Sequence, residues 1–308
     1  MSLRPDQYIS IAAISVVLVV VGVIRPVGAA DTSRTFLLIE KSEFVLPVID
    51  PTVVQPQVSA AAAIVIDEQS AVTLYEKNAT VQFPPASTTK LLTALVARSM
   101  YELDAVLTVP TLVTALDGTR MGLVPGEKLP VSALLQGALI QSGNDAALTL
   151  AAAHPAGVGG FVSEMNSKAD FLHLTQSNFT NPIGYDAPGQ LVTPRDLALL
   201  AREVMKDPVL RKIVGTAKVQ VSDTKGAITH DLVTTHKLLG VDPTVIGIKT
   251  GTTEEAGEVL ITQFKRDAQS ILIVIMGSDD RYKDTQELIE YVRTAVHWET
   301  VFSVPEAR

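Results

Sequence analysis

The hydrophobic pattern first becomes regular near Ser59. From there the stretch AAAAIVIDEQSAVTLYEKN gives an apolar run, a polar turn from Asp67 to Ser70, and a second short run that ends at Tyr75. Two short apolar runs joined by turn residues predict a two-stranded β-hairpin. We therefore expect a sheet to begin here.

Helical spacing dominates the middle of the chain. Apolar residues recur with a helical period in five segments, at about residues 88–99, 131–140, 144–153, 161–171 and 193–206. The last segment follows a loop rich in glycine and proline, NPIGYDAPGQLVTP. The middle of the chain is therefore predicted to be mostly helical.

After Ile213 the pattern becomes strand-like again. The stretches AKVQVSDTKGAITHDLV, VIGIKTGTT and AGEVLITQFKRDAQSILIVIMGS predict three or four strands, and a last helix is expected at about 283–296. This order fits one domain whose N- and C-terminal strands share an antiparallel sheet, with a helical cluster inserted between them. The predicted fold class is α/β, of the α+β type, with helices on the faces of the sheet.

The N-terminal segment is expected to leave the cytoplasm or to remain in the membrane. Residues 8–24, YISIAAISVVLVVVGVI, are apolar apart from Ser10 and the Tyr8 hydroxyl. As a helix they would cover roughly 25 Å, slightly short for a membrane span and slightly long for the apolar core of a signal peptide. Residues 1–30 are therefore predicted to be a membrane anchor or a cleaved signal, and both alternatives export the rest of the chain.

The remainder divides into three parts. Residues 31–58 are rich in Pro, Val and Thr without a sustained period, which predicts an extended linker. A catalytic body is expected over residues 59–300, and residues 301–308 are expected to form a short tail.

Composition excludes several classes of function. The net charge is -8 and no basic run is present, so nucleic acid is not an expected partner. The chain has no cysteine, which excludes disulfides, thiolate metal sites and a thiol nucleophile. Its five histidines lack HExxH or similar spacing, so we expect neither a metal nor another cofactor.

A serine and a lysine near the start of the first predicted helix are the first candidates for chemistry. In PPASTTKLLTALVA, Ser87 and Lys90 are three residues apart, a spacing that places two side chains on one helix face. Lys90 can accept a proton only if it is neutral, which requires burial or a nearby cation. The same pattern recurs at Ser222 and Lys225, but there a predicted hairpin turn with Gly226 behind it need not bring the side chains together.

Two further elements are ambiguous when taken singly. In LIQSGNDAALTLA, Ser142 and Asn144 flank a glycine between two apolar helices, where Asn144 is also a suitable helix N-cap. In IGIKTGTT, Lys249 lies on an apolar strand, where it is either the cation near Lys90 or an ordinary strand-end lysine.

The three elements together carry a family resemblance. Ser-x-x-Lys, Ser-Gly-Asn and Lys-Thr-Gly in this order are typical of penicillin-binding proteins and serine β-lactamases. The surroundings, including QGALIQSGNDAALTLA, TNPIGYDAPGQLVTPRDLALLAR and GIKTGTTEEAGEVL, resemble the D-alanyl-D-alanine carboxypeptidases, which are low-molecular-mass penicillin-binding proteins of serine peptidase family S11. The resemblance implies a β-lactamase/transpeptidase-like fold and covers the chain from about Ser59 to the last helix.

The resemblance also implies an activity and its residues. Ser87 would attack the bond between the terminal D-alanines of a peptidoglycan stem pentapeptide, Lys90 would be the general base, and β-lactams would acylate the same serine. The resemblance further implies that Ser142 passes a proton to the leaving group, and that Asn144 aligns Lys90 and the substrate. Lys249 would stabilise negative charge, and Thr250 would bind the terminal carboxylate. Gly251 would let the peptide lie close to its strand. The backbone N–H groups of Ser87 and Thr252 would form the oxyanion hole.

The sequence departs from the family pattern at three positions. Family members commonly have Asn at the position of His236 and often His at that of Gln190, and some place Arg at that of Thr235 to bind the substrate carboxylate.

Three alternative functions remain open from the sequence. A D,D-endopeptidase that cuts peptidoglycan cross-links would use the same residues. A class A-like β-lactamase usually has Asp in place of Gly143 and a Glu-x-x-x-Asn loop, which is not evident here. A membrane-tethered muropeptide-binding module with low turnover would not need the nucleophile and its base.

Overall fold

An antiparallel sheet of five strands combines segments from both ends of the chain. The structure, a computed structural model, describes residues 43–302. The strands of this central sheet are β2 (Ala62–Asp67), β3 (Thr73–Lys77), β8 (Val245–Thr253), β9 (Gly257–Arg266) and β10 (Gln269–Ser278), in the order β3-β2-β10-β9-β8. The predicted hairpin and the predicted sharing of one sheet by N- and C-terminal strands are therefore confirmed.

The middle strands of the sheet are covered on both faces. Every residue of β2 is buried, and its side chains alternate between two apolar clusters. Ile64 and Ile66 belong to the larger cluster, whereas Ala63 and Val65 belong to the smaller one on the other face. Strands buried on both faces have continuous runs of branched apolar residues, and β2 and β10 have this composition.

Helices cover the two faces unequally. One face packs against α7 (Arg281–Ala295), whose Leu288 and Val292 belong to the smaller cluster. The other faces the inserted helical cluster, which consists of α1 (Lys90–Met100), α2 (Val131–Leu139), α3 (Asn144–Ala152), α4 (Gly157–Phe171), α5 (Pro194–Lys206) and α6 (Pro208–Val214). All six predicted helices are present, with ends within four residues of the prediction.

Helix α6 was not predicted. Pro208 cannot continue α5, because proline disrupts a continuing helix. In the structure it occupies the first turn of a new one, and the Asp207 carboxylate accepts hydrogen bonds from the backbone N–H groups of Val209 and Leu210. Proline at a first turn after an aspartate N-cap is a favourable start for a short helix.

Three two-stranded ribbons complete the described residues, and one of them differs from the prediction. Two ribbons pair β4 (Val106–Thr108) with β5 (Lys128–Pro130) and β6 (Lys218–Ser222) with β7 (Thr229–Val233). The third pairs β1 (Glu43–Ile49) with β11 (Val296–Phe302).

The predicted linker 31–58 and tail 301–308 are thus corrected where β1 and β11 enter them. The reason is that β1 is ordered by a partner about 250 residues away in sequence, which no local pattern records.

The expected membrane segment, residues 8–24, lies outside the described residues. Within residues 43–302 no single helix is long and apolar enough to cross a membrane. The bent pair α3 and α4 meets the length and composition criteria only when the two helices are taken together, and they are inclined by 95°.

Candidate active site

Ser87 lies on a tight turn between the sheet and the first helix of the inserted cluster. Residues Ala86–Thr89 form a single 3₁₀ turn that leads directly into α1, and Lys90 is the first residue of that helix. Lys90 Nζ lies 2.7 Å from Ser87 Oγ. The spacing of three residues therefore brings the amine and the hydroxyl into contact, as the sequence predicts.

Lys90 is enclosed by protein. Its side chain is fully buried, and Nζ also donates a hydrogen bond of 2.7 Å to the carbonyl of Ile183. Burial holds the pKa of Lys90 well below its usual value of 10.5, and the charge of Lys249 lowers it further, while Asp145 acts in the opposite direction. The structure thus favours a neutral amine beside Ser87.

Ser142 and Lys249 form a second pair of the same kind. Lys249 Nζ lies 2.8 Å from Ser142 Oγ and 2.9 Å from the carbonyl of Thr250. Burial, and secondarily the charge of Arg281, lowers the pKa of Lys249 to about 7. Ser142 has a left-handed backbone with φ of 63°, an uncommon conformation for a residue with a side chain that aims its hydroxyl at the lysine.

The two serines open into one cleft. This cleft has a volume of about 150 Å³ and is lined by Ser87, Thr119, Ser142, Thr235, Thr250, Gly251, Thr252 and Arg281. Lys90 and Lys249 lie behind its wall, with at most 1% of either residue exposed. Within the described residues, no three His, Asp or Glu side chains lie together as a metal ion would require.

Gly251 allows the sheet to approach the nucleophile's turn. A Cβ atom at this position would lie 2.9 Å from Ala86 Cβ and 3.0 Å from the backbone nitrogen of Ser87. Contacts this short do not occur for real side chains, so any other residue would displace the turn or the strand. The absence of a side chain was expected to make room for substrate, and in the structure it makes room for the turn that carries Ser87.

Asn144 lies beside the cleft, but its partners differ from the expected ones. Its Nδ2 donates to the carbonyl of Asp117 at 2.8 Å and lies 3.4 Å from the hydroxyl of Tyr185. No hydrogen bond joins Asn144 to Lys90 within residues 43–302. In this structure Asn144 therefore holds the loop at Asp117 against the start of α3.

Sequence reasoning missed two residues of the cleft, Thr119 and Arg281. Arg281 Nη1 donates to the Gly251 carbonyl at 2.8 Å and to Thr252 Oγ1 at 2.7 Å, so the guanidinium lies against the Lys-Thr-Gly strand. Thr119 reaches the site because its carbonyl accepts from the backbone N–H of Asn144. Neither residue belongs to a pattern with the other site residues, and no local signal in the sequence distinguishes them.

Thr235 lines the cleft, and the next residue, His236, holds the loop that carries it. Thr235 Oγ1 lies 2.5 Å from Thr250 Oγ1, so its hydroxyl extends the polar wall of the cleft. His236 is buried behind it with Nε2 3.0 Å from Thr262 Oγ1, and burial is the main cause that lowers its pKa to about 4. A neutral His236 thus ties this loop to β9.

Gln190 connects the nucleophile's turn to the loop before α5. Its Nε2 donates to Thr89 Oγ1 at 3.1 Å. Its Oε1 accepts from the backbone N–H and the hydroxyl of Thr180, at 2.6 and 3.0 Å. Both ends of this buried amide are satisfied, so Gln190 braces the turn that carries Ser87.

Comparison with known proteins first defines the class. The fold is that of D,D-peptidases and penicillin-binding proteins: the crystal structure of the Streptomyces K15 DD-transpeptidase has a TM-score of 0.74 and 29% identity, and the match covers 78% of this chain and 98% of that one. Residues 50–280 match the D-alanyl-D-alanine carboxypeptidase family, peptidase S11. The chain therefore belongs to the D-alanyl-D-alanine carboxypeptidase family.

Relatives in other bacteria agree with this assignment. The chain is 30% identical over 224 residues to D-alanyl-D-alanine carboxypeptidase DacF of Bacillus subtilis, a match that covers 71% of this chain and 57% of the relative. It is 34% identical over 224 residues to D-alanyl-D-alanine carboxypeptidase DacB2 of Mycobacterium tuberculosis, covering 72% and 76% respectively. The chain thus spans little more than half the length of the Bacillus relative.

Proposed function

We propose that this protein is a serine D-alanyl-D-alanine carboxypeptidase that removes the terminal D-alanine from peptidoglycan stem pentapeptides. The observation that carries the proposal is the pair of serine-lysine contacts, Ser87 with Lys90 and Ser142 with Lys249, at one small cleft. Membership of the carboxypeptidase family supports the choice of substrate.

Acylation begins at Ser87. Neutral Lys90 accepts the hydroxyl proton while Ser87 Oγ attacks the carbonyl carbon between the two D-alanines. The backbone N–H groups of Ser87 and Thr252 are the proposed donors to the oxyanion, and the close contact of Gly251 with the Ser87 turn brings these two segments together. Collapse of the tetrahedral intermediate breaks the C–N bond and leaves an ester on Ser87.

The leaving amine needs a proton, and Ser142 is a second serine hydroxyl that lines the cleft. Ser142 donates its proton to the nitrogen of the departing D-alanine and recovers one from the Lys249 ammonium, 2.8 Å away. Water then attacks the ester carbonyl carbon and gives a proton to the Lys249 amine, which acylation left neutral. The ester C–O bond breaks as Ser87 Oγ recovers its proton from the Lys90 ammonium, and the shortened peptide leaves. Asn144 is proposed to align the substrate amide next to this pair.

The terminal carboxylate of the substrate is proposed to bind at the Thr250 end of the cleft. Thr235 and Thr250 present adjacent hydroxyls, and Arg281 supplies a guanidinium. Strand β8 is the edge strand of the central sheet, so its outer backbone groups are free to pair with an extended peptide. Arg281 thereby provides the cation that some relatives carry at the position of Thr235.

The chemistry is proposed to take place outside the cytoplasm, in the periplasm or at the outer face of the membrane. Peptidoglycan lies there, and the apolar segment of residues 8–24 is proposed to export the chain as a signal or to anchor it in the membrane. In this arrangement residues 59–300 supply the catalytic machinery, and the β1–β11 ribbon adds to the same folded body.

The test is an assay with purified full-length protein and a stem pentapeptide, read by mass spectrometry. Release of one D-alanine per peptide is the expected result. Covalent labelling by fluorescent penicillin without any release would instead favour a muropeptide-binding module and overturn the proposal. Cleavage of cross-linked muropeptide dimers much faster than pentapeptides would replace carboxypeptidase with endopeptidase activity.

A further inference from the structure

A second cavity lies at the opposite end of the central sheet from the Ser87 cleft. This basic cavity has a volume of about 390 Å³, and its polar lining includes Glu68, Arg202, Lys206, Arg211, Gln263 and Lys265. It forms where β8 begins and β9 ends, and it shares no lining residue with the Ser87 cleft. Whatever binds here does not compete with a peptide at Ser87.

The charge of the basic cavity is opposite to that of the chain. The chain has a net charge of -8, yet four cationic side chains from α5, α6 and β9 line this cavity together with a single acid. Lys206 is paired with Glu203 at 2.9 Å. Within residues 43–302, Arg202, Arg211 and Lys265 have no carboxylate within ion-pair distance. Like charges gathered without counterions repel, and an anion between them relieves that repulsion.

The acid of the cavity does not supply the missing counterion. The Glu68 carboxylate accepts a hydrogen bond from Gln263 Nε2, and Arg202 Nη2 donates to the Glu68 backbone carbonyl at 3.1 Å rather than to the carboxylate. Burial raises the pKa of the Glu68 carboxyl, whereas the hydrogen bond from Gln263 and the charge of Arg202 lower it. A single carboxyl group cannot balance the four cationic side chains of the cavity. The excess of positive charge therefore remains available to a ligand.

We propose that the basic cavity binds a phosphate group. The guanidinium groups of Arg202 and Arg211 and the ammonium group of Lys265 suit a tetrahedral oxyanion that carries more than one negative charge, while Lys206 is already paired with Glu203. The volume is near the lower end of the range of roughly 300–1,000 Å³ for small-molecule sites, enough for phosphate and the first atoms attached to it. Free phosphate compounds and the headgroup of an anionic lipid both offer this chemistry.

The first experiment is titration calorimetry of the full-length protein with inorganic phosphate and, separately, with acetate. We expect saturable binding of phosphate and at least about tenfold weaker binding of acetate. The double variant Arg211→Gln/Lys265→Gln should weaken phosphate binding by about tenfold or more, whereas Glu68→Gln should tighten it by removing the residual negative charge.

A matched double variant separates a site from general charge. Lys212 and Lys218 are exposed and are not among the residues that line the cavity, so Lys212→Gln/Lys218→Gln removes the same amount of charge from positions close in sequence to Arg211. It should bind phosphate as the unmodified protein does, and thermal unfolding followed by circular dichroism checks that both double variants fold. Absence of saturable phosphate binding, or equal losses in the two double variants, would overturn the proposal.

Vesicles distinguish the two sources of phosphate. If the ligand is a lipid, the Arg211→Gln/Lys265→Gln variant should bind phosphatidylglycerol vesicles more weakly than the unmodified protein, with no such difference on phosphatidylcholine. If the ligand is a free phosphate compound, inorganic phosphate binds and the variant and unmodified protein associate equally with both kinds of vesicle.

Discussion

Two segments of this chain have the same Ser-x-x-Lys pattern, and the fold gives them different surroundings. Ser87 and Lys90 lie on a turn that enters a buried helix, with the amine 2.7 Å from the hydroxyl. Ser222 ends strand β6 and Lys225 lies in the following hairpin turn, where both side chains are exposed. No hydrogen bond joins Ser222 to Lys225 within the described residues.

The difference teaches what the pattern needs in order to become chemistry. Helical geometry brings the first pair into contact, and burial then lowers the pKa of Lys90 so that the amine can accept a proton. Lys225, in contrast, is exposed to solvent. The Asp223 carboxylate next to it accepts hydrogen bonds from the backbone N–H groups of Ala227 and Ile228 in the same turn. A nucleophile thus requires both the contact and the dry surroundings.

Removal of each serine gives the largest predicted difference between the two copies. Ser87→Ala should abolish covalent labelling of the full-length protein by fluorescent penicillin, because no acyl-enzyme can form without the hydroxyl. Ser222→Ala should be labelled at the unmodified rate. In-gel fluorescence after a timed incubation measures both variants, and persistent labelling of Ser87→Ala would refute this serine as the nucleophile.

Replacement of each lysine separates chemistry from stability. Lys90→Met should slow penicillin acylation by about 10²–10⁴-fold, the usual contribution of a general base. The same variant should unfold at a higher temperature. Because the folded-state pKa of Lys90 lies below the unfolded value of 10.5, the unfolded chain binds more protons at neutral pH, which destabilises the fold. This cost declines as pH rises toward 10.5.

Lys225→Met is the control for both measurements, since this lysine is exposed. Neither its acylation rate nor its Tm at pH 7 should change by more than the experimental error. An active Lys90→Met protein would remove Lys90 from the mechanism. A Lys90→Met protein that is inactive and also less stable would show that the amine serves the fold through its hydrogen bond to Ile183.

Much of the fold was predictable from the sequence because it follows local patterns. The helices around Leu91 and Leu134 and the hairpin at Asp67 show in the spacing of apolar residues and in turn residues. The pairing of β1 with β11 was not predictable, since the partner strand decides it.

Some residues of the candidate site were likewise predictable from the sequence, and others were not. The contact of Ser87 with Lys90 follows from helix geometry over three residues, and the family pattern indicates the second pair. Arg281 and Thr119 have no such signal, because tertiary packing alone brings them to the cleft. The contact of Gly251 with Ala86 was also not predictable, because the two residues are 165 positions apart in sequence.

Each Ser-x-x-Lys copy also has a glycine next to it, and the two glycines should differ in what they control. Gly251→Ala should slow acylation by about 100-fold, since a Cβ 3.0 Å from the Ser87 nitrogen moves the nucleophile or the oxyanion donors. Gly226 lies behind Ser222 with φ of 66° and has open space around it. Gly226→Ala should therefore cost about 1–2 kcal/mol of stability and leave acylation unchanged.

Acylation rates and urea unfolding of these two variants provide the measurement. A Gly251→Ala protein with an unmodified acylation rate would mean that the strand and the Ser87 turn can separate without loss, contrary to the tight contact at Ala86. A loss of activity in Gly226→Ala would indicate that the exposed turn contributes to the site.

The smallest predicted effect concerns the charge of Arg281, which lines the cleft at Ser87 and Lys90 and has no counterpart in the predictions for Ser222 and Lys225. Arg281→Gln should reduce the second-order rate of acylation by about tenfold, through loss of a charged partner for the ligand carboxylate.

The same variant should also change the pH dependence of acylation. Burial is the main cause that lowers the pKa of Lys249 to about 7, and the charge of Arg281 is the second cause, so removal of that charge should raise this pKa. If protonated Lys249 is required, acylation declines as pH rises through about 7, and in Arg281→Gln this decline should begin at higher pH. Arg293→Gln, an exposed arginine on the same helix, should leave the rate and its pH profile unchanged. A lower rate with an unshifted alkaline decline would limit Arg281 to ligand binding and refute its electrostatic effect on Lys249.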